Sequence, residues 1–290
     1  MALQSTLFGP AKYGIIPELV SLKQISKANG VITAFTFLAI ITGSGAASLI
    51  LDMSVNNYSL LMQATLLIAL LGIAASLLIP YTKPKEIKGP VDAIFIKAAV
   101  RSLQEMREQP PLLLVVCASA YFMLIASYIQ LNMIPFAYEV LHLSLLSGGY
   151  LIVITSIGIA IGAYTVGRYS KEAVRIDFVP MSCFLIGVTL ILIERFSDFL
   201  WVELLLLPVV GFFGGFYQVP LDAFLQVYAP AHKRGAYIGT ASFLGFVGVL
   251  LSSVLLYLFR EAGLQSDQGF SLMGILTCFL SIFLFIRMRI

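Results

Sequence analysis

Eight stretches of this 290-residue chain are apolar for about the length that crosses a lipid bilayer, and that pattern leaves few folds open. Roughly 20 consecutive apolar residues make a helix as long as the hydrocarbon layer is thick. The stretches fall at about 28–51, 58–80, 112–135, 146–168, 177–195, 199–224, 236–259 and 270–287, and residues 1–10 read as the tail of a ninth. In lipid every backbone N–H and C=O must find its partner within the protein, which leaves helices and closed barrels. Unbroken runs of this length are helices, so the expectation is an all-α membrane protein with eight full spans and a partial one. Composition agrees. The chain is 59% hydrophobic and 11% charged, whereas a soluble domain carries about 25% charged residues. It has too little polar surface to cover a water-exposed globule.

The placement of cations supports the count. Sixteen of the 18 Lys and Arg residues fall in every second linker: Lys12, Lys23 and Lys27; Lys83 to Arg107; Arg168, Lys171 and Arg175; Lys233 and Arg234; Arg287 and Arg289. Arg195 and Arg260 alone fall in the alternate set. Lys and Arg accumulate on the cytoplasmic side, so the segment 81–111 and the C-terminus are expected there.

A weak internal repeat runs through the chain. FGPAKYGIIPELVSLKQISKANG at Phe8–Gly30 and FYQVPLDAFLQVYAPAHKRG at Phe216–Gly235 share an order of features. Pro10 answers to Pro220, Lys12 to Asp222, and the basic linker Lys23–Gly30 to Ala231–Gly235. Each stretch is expected to break at its prolines, then enter a Gly- and Phe-bearing apolar run. Paired halves of this kind mark secondary transporters, whose sites lie between the halves. Six spans follow residue 111 and only two and a stub precede it. Hence residues 1–80 read as the remnant of an N-terminal bundle (the end of a fourth span, a fifth and a sixth). Residues 81–111 read as a cytoplasmic linker and 112–290 as a C-terminal six-helix bundle, in an N-terminally truncated chain.

Other features are less informative. Cys117, Cys183 and Cys278 lie in apolar runs without a C-x-x-C and read as buried thiols. His142 and His232 are too far apart for a metal cluster, and no cofactor or nucleic-acid partner is expected. In the linker, Val91, Ile94, Phe95, Ala98, Leu103 and Met106 recur at helical spacing, as an interfacial helix tethering two halves would have them. Gly158 and Gly162 form a G-x-x-x-G that fits close helix crossing.

Polar residues inside the spans are the candidate site, because lipid penalises them and they must face protein or an aqueous cavity. Gln130 and Asn132 precede Pro135 and serve either helix packing or a ligand. Gln218, Asp222 and Gln226 are spaced by four and so share one helix face. Asp222 and Lys12 either look into that cavity or sit solvated at the cytoplasmic end. Glu203 reads as near enough to the outer end to reach water. Glu139 and His142 read as solvated residues of an outer loop, and Arg175 and Asp177 as an ion pair at the membrane edge.

FGPAKYGIIPEL with ANG, GIAIGAYTVGRYS with Val179–Pro180, and GFFGGFYQVPLDAFLQ together resemble the bacterial lysophospholipid transporter family of the major facilitator superfamily. The resemblance covers Phe8 to Gln226. It implies a major facilitator-type helical bundle in the bacterial inner membrane that flips lysophosphatidylethanolamine and lysophosphatidylglycerol inward. A cytoplasmic acyltransferase coupled to an acyl–acyl carrier protein synthetase then restores the second chain. It also implies a gating turn at Gly167–Arg168. No H-x-x-x-x-D acyltransferase motif follows either histidine, so this chain is not expected to be an enzyme. The family usually carries Asn where this chain has Asp222. The expected substrate-binding set is Lys12, Tyr13, Gln130, Asn132, Gln218, Asp222 and Gln226, with Lys12 drawing the phosphate and Asp222 or the amides meeting an ammonium. The competing readings are an exporter of drugs or small metabolites, and a non-functional fragment.

Overall fold

The computed structural model describes residues 2–53, 58–82, 95–170 and 173–288, all of it helix, turn and connection. The helices are α1 (Ala2–Leu19), α2 (Ile25–Met53), α3 (Tyr58–Ser76), α4 (Phe95–Met106), α5 (Pro110–Glu139), α6 (Leu145–Tyr169), α7 (Phe178–Arg195), α8 (Leu200–Tyr228), α9 (Arg234–Glu261) and α10 (Ser266–Arg287). Among the described residues seven helices are long and apolar enough to cross a membrane. The stretch expected at 58–80 is α3, whose described apolar part is the shorter Met62–Ser76. Its Leu66, Leu67, Ile68, Leu70, Leu71 and Ile73 are all exposed.

Two boundaries differ from expectation. No break occurs at Pro10 or Pro17, since α1 runs through both, and α8 likewise runs through Pro208 and Pro220. An apolar helix absorbs a proline because unwinding in lipid would strand several more backbone groups. The expected linker Lys23–Gly30 shrinks to a single 3-10 turn, Leu22–Gln24, and Lys27 to Gly30 already belong to α2. Of the linker helix, α4 supplies Phe95–Met106, while Val91, Ile94 and the lysines Lys83, Lys85 and Lys88 lie outside the described residues. Lys171 and Arg289 lie outside them too. Ala99, Ser102 and Met106 are buried on one side of α4, whereas Lys97 and Arg101 are exposed.

Helices α5 to α10 form one bundle. Its core contains Phe136, Tyr128 and Phe270, with Tyr217 stacked on Phe122 at 5.5 Å. Lipid is as apolar as the side chains, so close packing rather than water exclusion drives this association. The glycines show it. A Cβ on Gly158 would sit 2.9 Å from Pro208 Cα, and one on Gly162 would sit 2.8 Å from Phe212 Cα. The G-x-x-x-G of α6 therefore lies directly on the backbone of α8. Helix α2 runs along the other side of α6, where a Cβ on Gly30 would reach 2.9 Å from Gly167 Cα. Hydroxyls within the helices mostly return to the carbonyl one turn back, as Thr155 does to Leu151 at 2.9 Å.

Charged residues gather at the two ends. At the basic end Lys233 pairs with Glu105 of α4 at 2.9 Å and Arg234 with Glu18 of α1 at 3.3 Å. There too Arg175 and Asp177 pair at 2.7 Å as expected, and the Arg175 guanidinium holds the Asp177 carboxyl below its usual range. At the opposite end Glu139 is not simply solvated: it pairs with Arg260 at 2.6 Å and accepts from Ser266 Oγ at 3.0 Å. His142 is exposed and takes a positive φ of 53°. Glu203, expected to reach water, is fully buried although Trp201 in the same first turn of α8 is exposed, because the two side chains leave the helix in different directions, and neither carboxyl oxygen has a protein partner. Cys183 is buried, but Cys117 is exposed on the outer face of α5.

Candidate functional site

The polar face of α8 opens onto a cavity of about 260 Å³. Gln218, Asp222 and Gln226 line it from α8, Ser119 and Phe122 from α5, and Tyr13 from α1. Thr33 and Phe37 of α2 and a strip of α9 from Ile238 to Val249 complete the wall. The two repeated stretches thus face one another. Gly9, Pro10 and Tyr13 of the first lie across from Gln218 and Asp222 of the second. Glycines hold the opening: Gly215 of α8 lies against the α6 backbone, and Gly245 of α9 faces Met123. Bulkier residues at either position would push into the neighbouring helix.

Polar groups in the cavity are organised by hydrogen bonds along α8. The Gln218 amide donates to Asp222 Oδ1 at 2.7 Å and to Ser119 Oγ at 3.2 Å. Both N–H groups are then committed, and the Gln218 carbonyl is buried with no protein partner. One turn further on, Gln226 and Asn29 exchange reciprocal amide bonds of 2.7 and 2.9 Å. Both residues are buried, so this pair ties α2 to α8 beside the cavity.

The expected site residues separate into groups. Tyr13, Gln218, Asp222 and Gln226 meet in the cavity. Lys12 lines an adjoining open groove with Ile32, Phe35, Thr36, Ala39 and Ile40, and its amine donates to Thr36 Oγ1 at 2.6 Å. It lies within electrostatic reach of Asp222 without closing an ion pair. Asn132 is buried away from the cavity and donates to the Ser266 carbonyl at 2.8 Å, joining α5 to α10. Gln130 is exposed on the outside of α5, because two residues along a helix turn the side chain about 200° away. Gly167 and Arg168 occupy the last turn of α6 rather than a loop, with Gly167 against Gly30 and Arg168 exposed. The glycine there leaves α2 room to pack against the end of α6.

Sequence reasoning missed Asn29, Ser119 and Thr33. Asn29 lies inside the ANG motif, in the stretch expected to be linker, but belongs to α2. Ser119 is a small hydroxyl in an apolar run with no spacing signal of its own.

Residues 2–253 match the Major Facilitator Superfamily. The chain is similar to curated proteins named lysophospholipid transporter LplT. That of Photorhabdus laumondii is 26% identical over 221 residues, covering 76% of this chain and 54% of the relative. That of Cronobacter sakazakii is 29% identical over 229 residues with the same coverages. That of Pectobacterium carotovorum is 28% identical over 257 residues, covering 86% of this chain and 61% of the relative. The chain spans about half the length of the curated relatives it matches. Among solved structures, the human organic anion transporter MFSD10 superposes with a TM-score of 0.76 at 19% identity, covering 95% of this chain and 67% of that one. At that identity the likeness is one of fold.

Proposed function

Because the chain belongs to the major facilitator superfamily, we propose that it is a membrane transport protein whose cargo is a lysophospholipid. The observation that carries this reading is the cavity itself. It has a polar patch at Ser119, Gln218 and Asp222 and an apolar remainder with Phe37, Phe122, Leu225, Phe246 and Val249. A lysophospholipid has that same division between head group and single acyl chain. The relatives named lysophospholipid transporter support the same assignment.

In this reading the head group sits at the polar patch and the acyl chain lies along α9. A volume of about 260 Å³ is too small for a whole lipid, so the tail extends out of the cavity into the membrane. Lys12, in the groove beside α1, supplies the cation that steers the phosphate. The halves alternate access by rocking, as in related carriers, with Gly30 and Gly167 at the contact of α2 with α6. The basic end, carrying Lys233 and Arg234, is the cytoplasmic face, where an acyltransferase would receive the imported lipid.

The test is inward movement of an acyl-labelled lysophospholipid in proteoliposomes, read as loss of accessibility to an external quencher. The expected outcome is movement by the wild-type chain and slower movement by Lys12→Ala at equal insertion. If a lipophilic drug moves and the lysophospholipid does not, the cargo assignment is wrong. Unchanged movement in Lys12→Ala removes Lys12 from the head-group scheme.

A further inference from the structure

The geometry points to a subsite in the cavity, made by Asp222, the Gln218 carbonyl and Ser119, that accepts a primary ammonium group. This rests on reading the cavity as the cargo site and adds what the site selects.

Three observations lead there. First, the amide of Gln218 has a fixed sense. Its nitrogen donates to Asp222 Oδ1 and Ser119 Oγ, and reversal would turn its carbonyl against the Asp222 carboxylate. Second, that fixed sense leaves the Gln218 carbonyl oxygen buried without a hydrogen bond. An unpaired buried acceptor loses free energy until a donor arrives. Third, no Lys, Arg or His is among the described residues lining the cavity. Lys12 lies within electrostatic reach of Asp222 but closes no ion pair with it, and its amine bonds Thr36 in the neighbouring groove.

The polar patch therefore offers a carboxylate and an unpaired carbonyl, set in walls that carry Phe, Met, Ile and Val. A group that suits it bears a positive charge and at least two N–H donors. Bonds from a charged donor to such acceptors are the stronger kind. A primary ammonium meets both requirements. A quaternary ammonium has the charge without donors, and a glycerol head group has donors without the charge. A phosphate by itself would meet Asp222 as a like charge. The inference is that a single-chain lipid with an ethanolamine head is preferred to one with a glycerol head, and that the preference resides in Asp222.

Binding and movement are read separately. Binding is followed by thermal stabilisation of the purified chain in a non-ionic detergent. The probes are lysophosphatidylethanolamine, lysophosphatidylglycerol and dodecylammonium, the last having no phosphate. The two ammonium probes are expected to bind about tenfold more tightly than lysophosphatidylglycerol. Asp222→Asn, which keeps the size of the side chain, is expected to erase the difference. Gln218→Leu removes the free carbonyl and serves as the second variant if Asp222→Asn does not fold.

Equal binding of the ethanolamine and glycerol lipids overturns the subsite, as does a preference that survives both variants. Movement is followed in phosphatidylcholine proteoliposomes, whose own head group has no N–H. If neither lysolipid moves but the ammonium preference is present and Asp222-dependent, the subsite stands and the lysophospholipid cargo falls. If both lysolipids move equally and bind equally, the cargo stands and the subsite falls.

Discussion

The amide pair between Asn29 and Gln226 joins a helix from the first repeat to one from the second, so its strength bears on how firmly the two hold together. Both residues are buried, and they exchange bonds of 2.7 and 2.9 Å. Asn29→Leu leaves both polar ends of the Gln226 amide without their partner. Two buried orphans at about 1–3 kcal/mol each would suggest a loss of roughly 2–6 kcal/mol. Hydrogen bonds between membrane helices measure less, about 0.6 kcal/mol on average and about 1.7 at most. The lower figure applies here, because Gln226 lines the cavity and the freed amide can turn toward water there. Two bonds at that scale give about 1–2 kcal/mol for either Asn29→Leu or Gln226→Met. The double variant replaces a polar pair with an apolar one of similar shape and is expected to lie close to wild type. Equilibrium unfolding of the four proteins in one detergent then yields a coupling of about 2–4 kcal/mol, the sum of two single losses that the double variant does not show. Losses that simply add, to within about 0.5 kcal/mol, would show that the two amides are not partners.

Other expectations follow from single contacts. Gly30→Val forces a branched side chain onto the backbone near Gly167. It should lower both thermal stability and transport, whereas Gly43→Val, with nothing near its Cβ, should change neither. Glu203→Met replaces a fully buried carboxyl that has no protein partner and is expected to raise stability by about 1–2 kcal/mol; a loss of stability would reveal a partner for Glu203. The Arg175–Asp177 pair is about half exposed, so Arg175→Ala should cost under about 1 kcal/mol at neutral pH. Since Arg175 lowers the Asp177 pKa, that contribution is complete above the ordinary value of 3.8 and fades as pH falls below it. A difference between wild type and variant that grows in acid would contradict this. In detergent a small maleimide should modify exposed Cys117 well before buried Cys183; the reverse order would refute the facing of α5.

The helical class and the positions of most spans were legible because lipid imposes a simple length rule, and a run of apolar side chains announces it one residue at a time. The shared face of Gln218, Asp222 and Gln226 was legible for a similar reason, since a spacing of four needs only helix geometry. The repeat in the chain pairs Pro10 with Pro220 and Lys12 with Asp222; Pro10 and Asp222 line one cavity, whereas Lys12 lines the groove beside it. The same reasoning failed at Pro10 and Pro17, where α1 continues through residues that would break a helix in water. It placed Gly167 in a turn, although only the approach of α2 explains a glycine there.

What the amino-acid order determined by itself was therefore local: which segments are helices in a membrane and which side chains share a face. The tertiary structure decided which of those faces meet. Gln130 and Asn132 are two residues apart, yet one is exposed and the other bonds Ser266. Glu203 is buried and Lys12 is turned into the neighbouring groove. Spacing along one helix sets directions relative to that helix alone. The bearing of those directions on a neighbour depends on helix rotation and crossing, which are set by side-chain packing across the whole bundle.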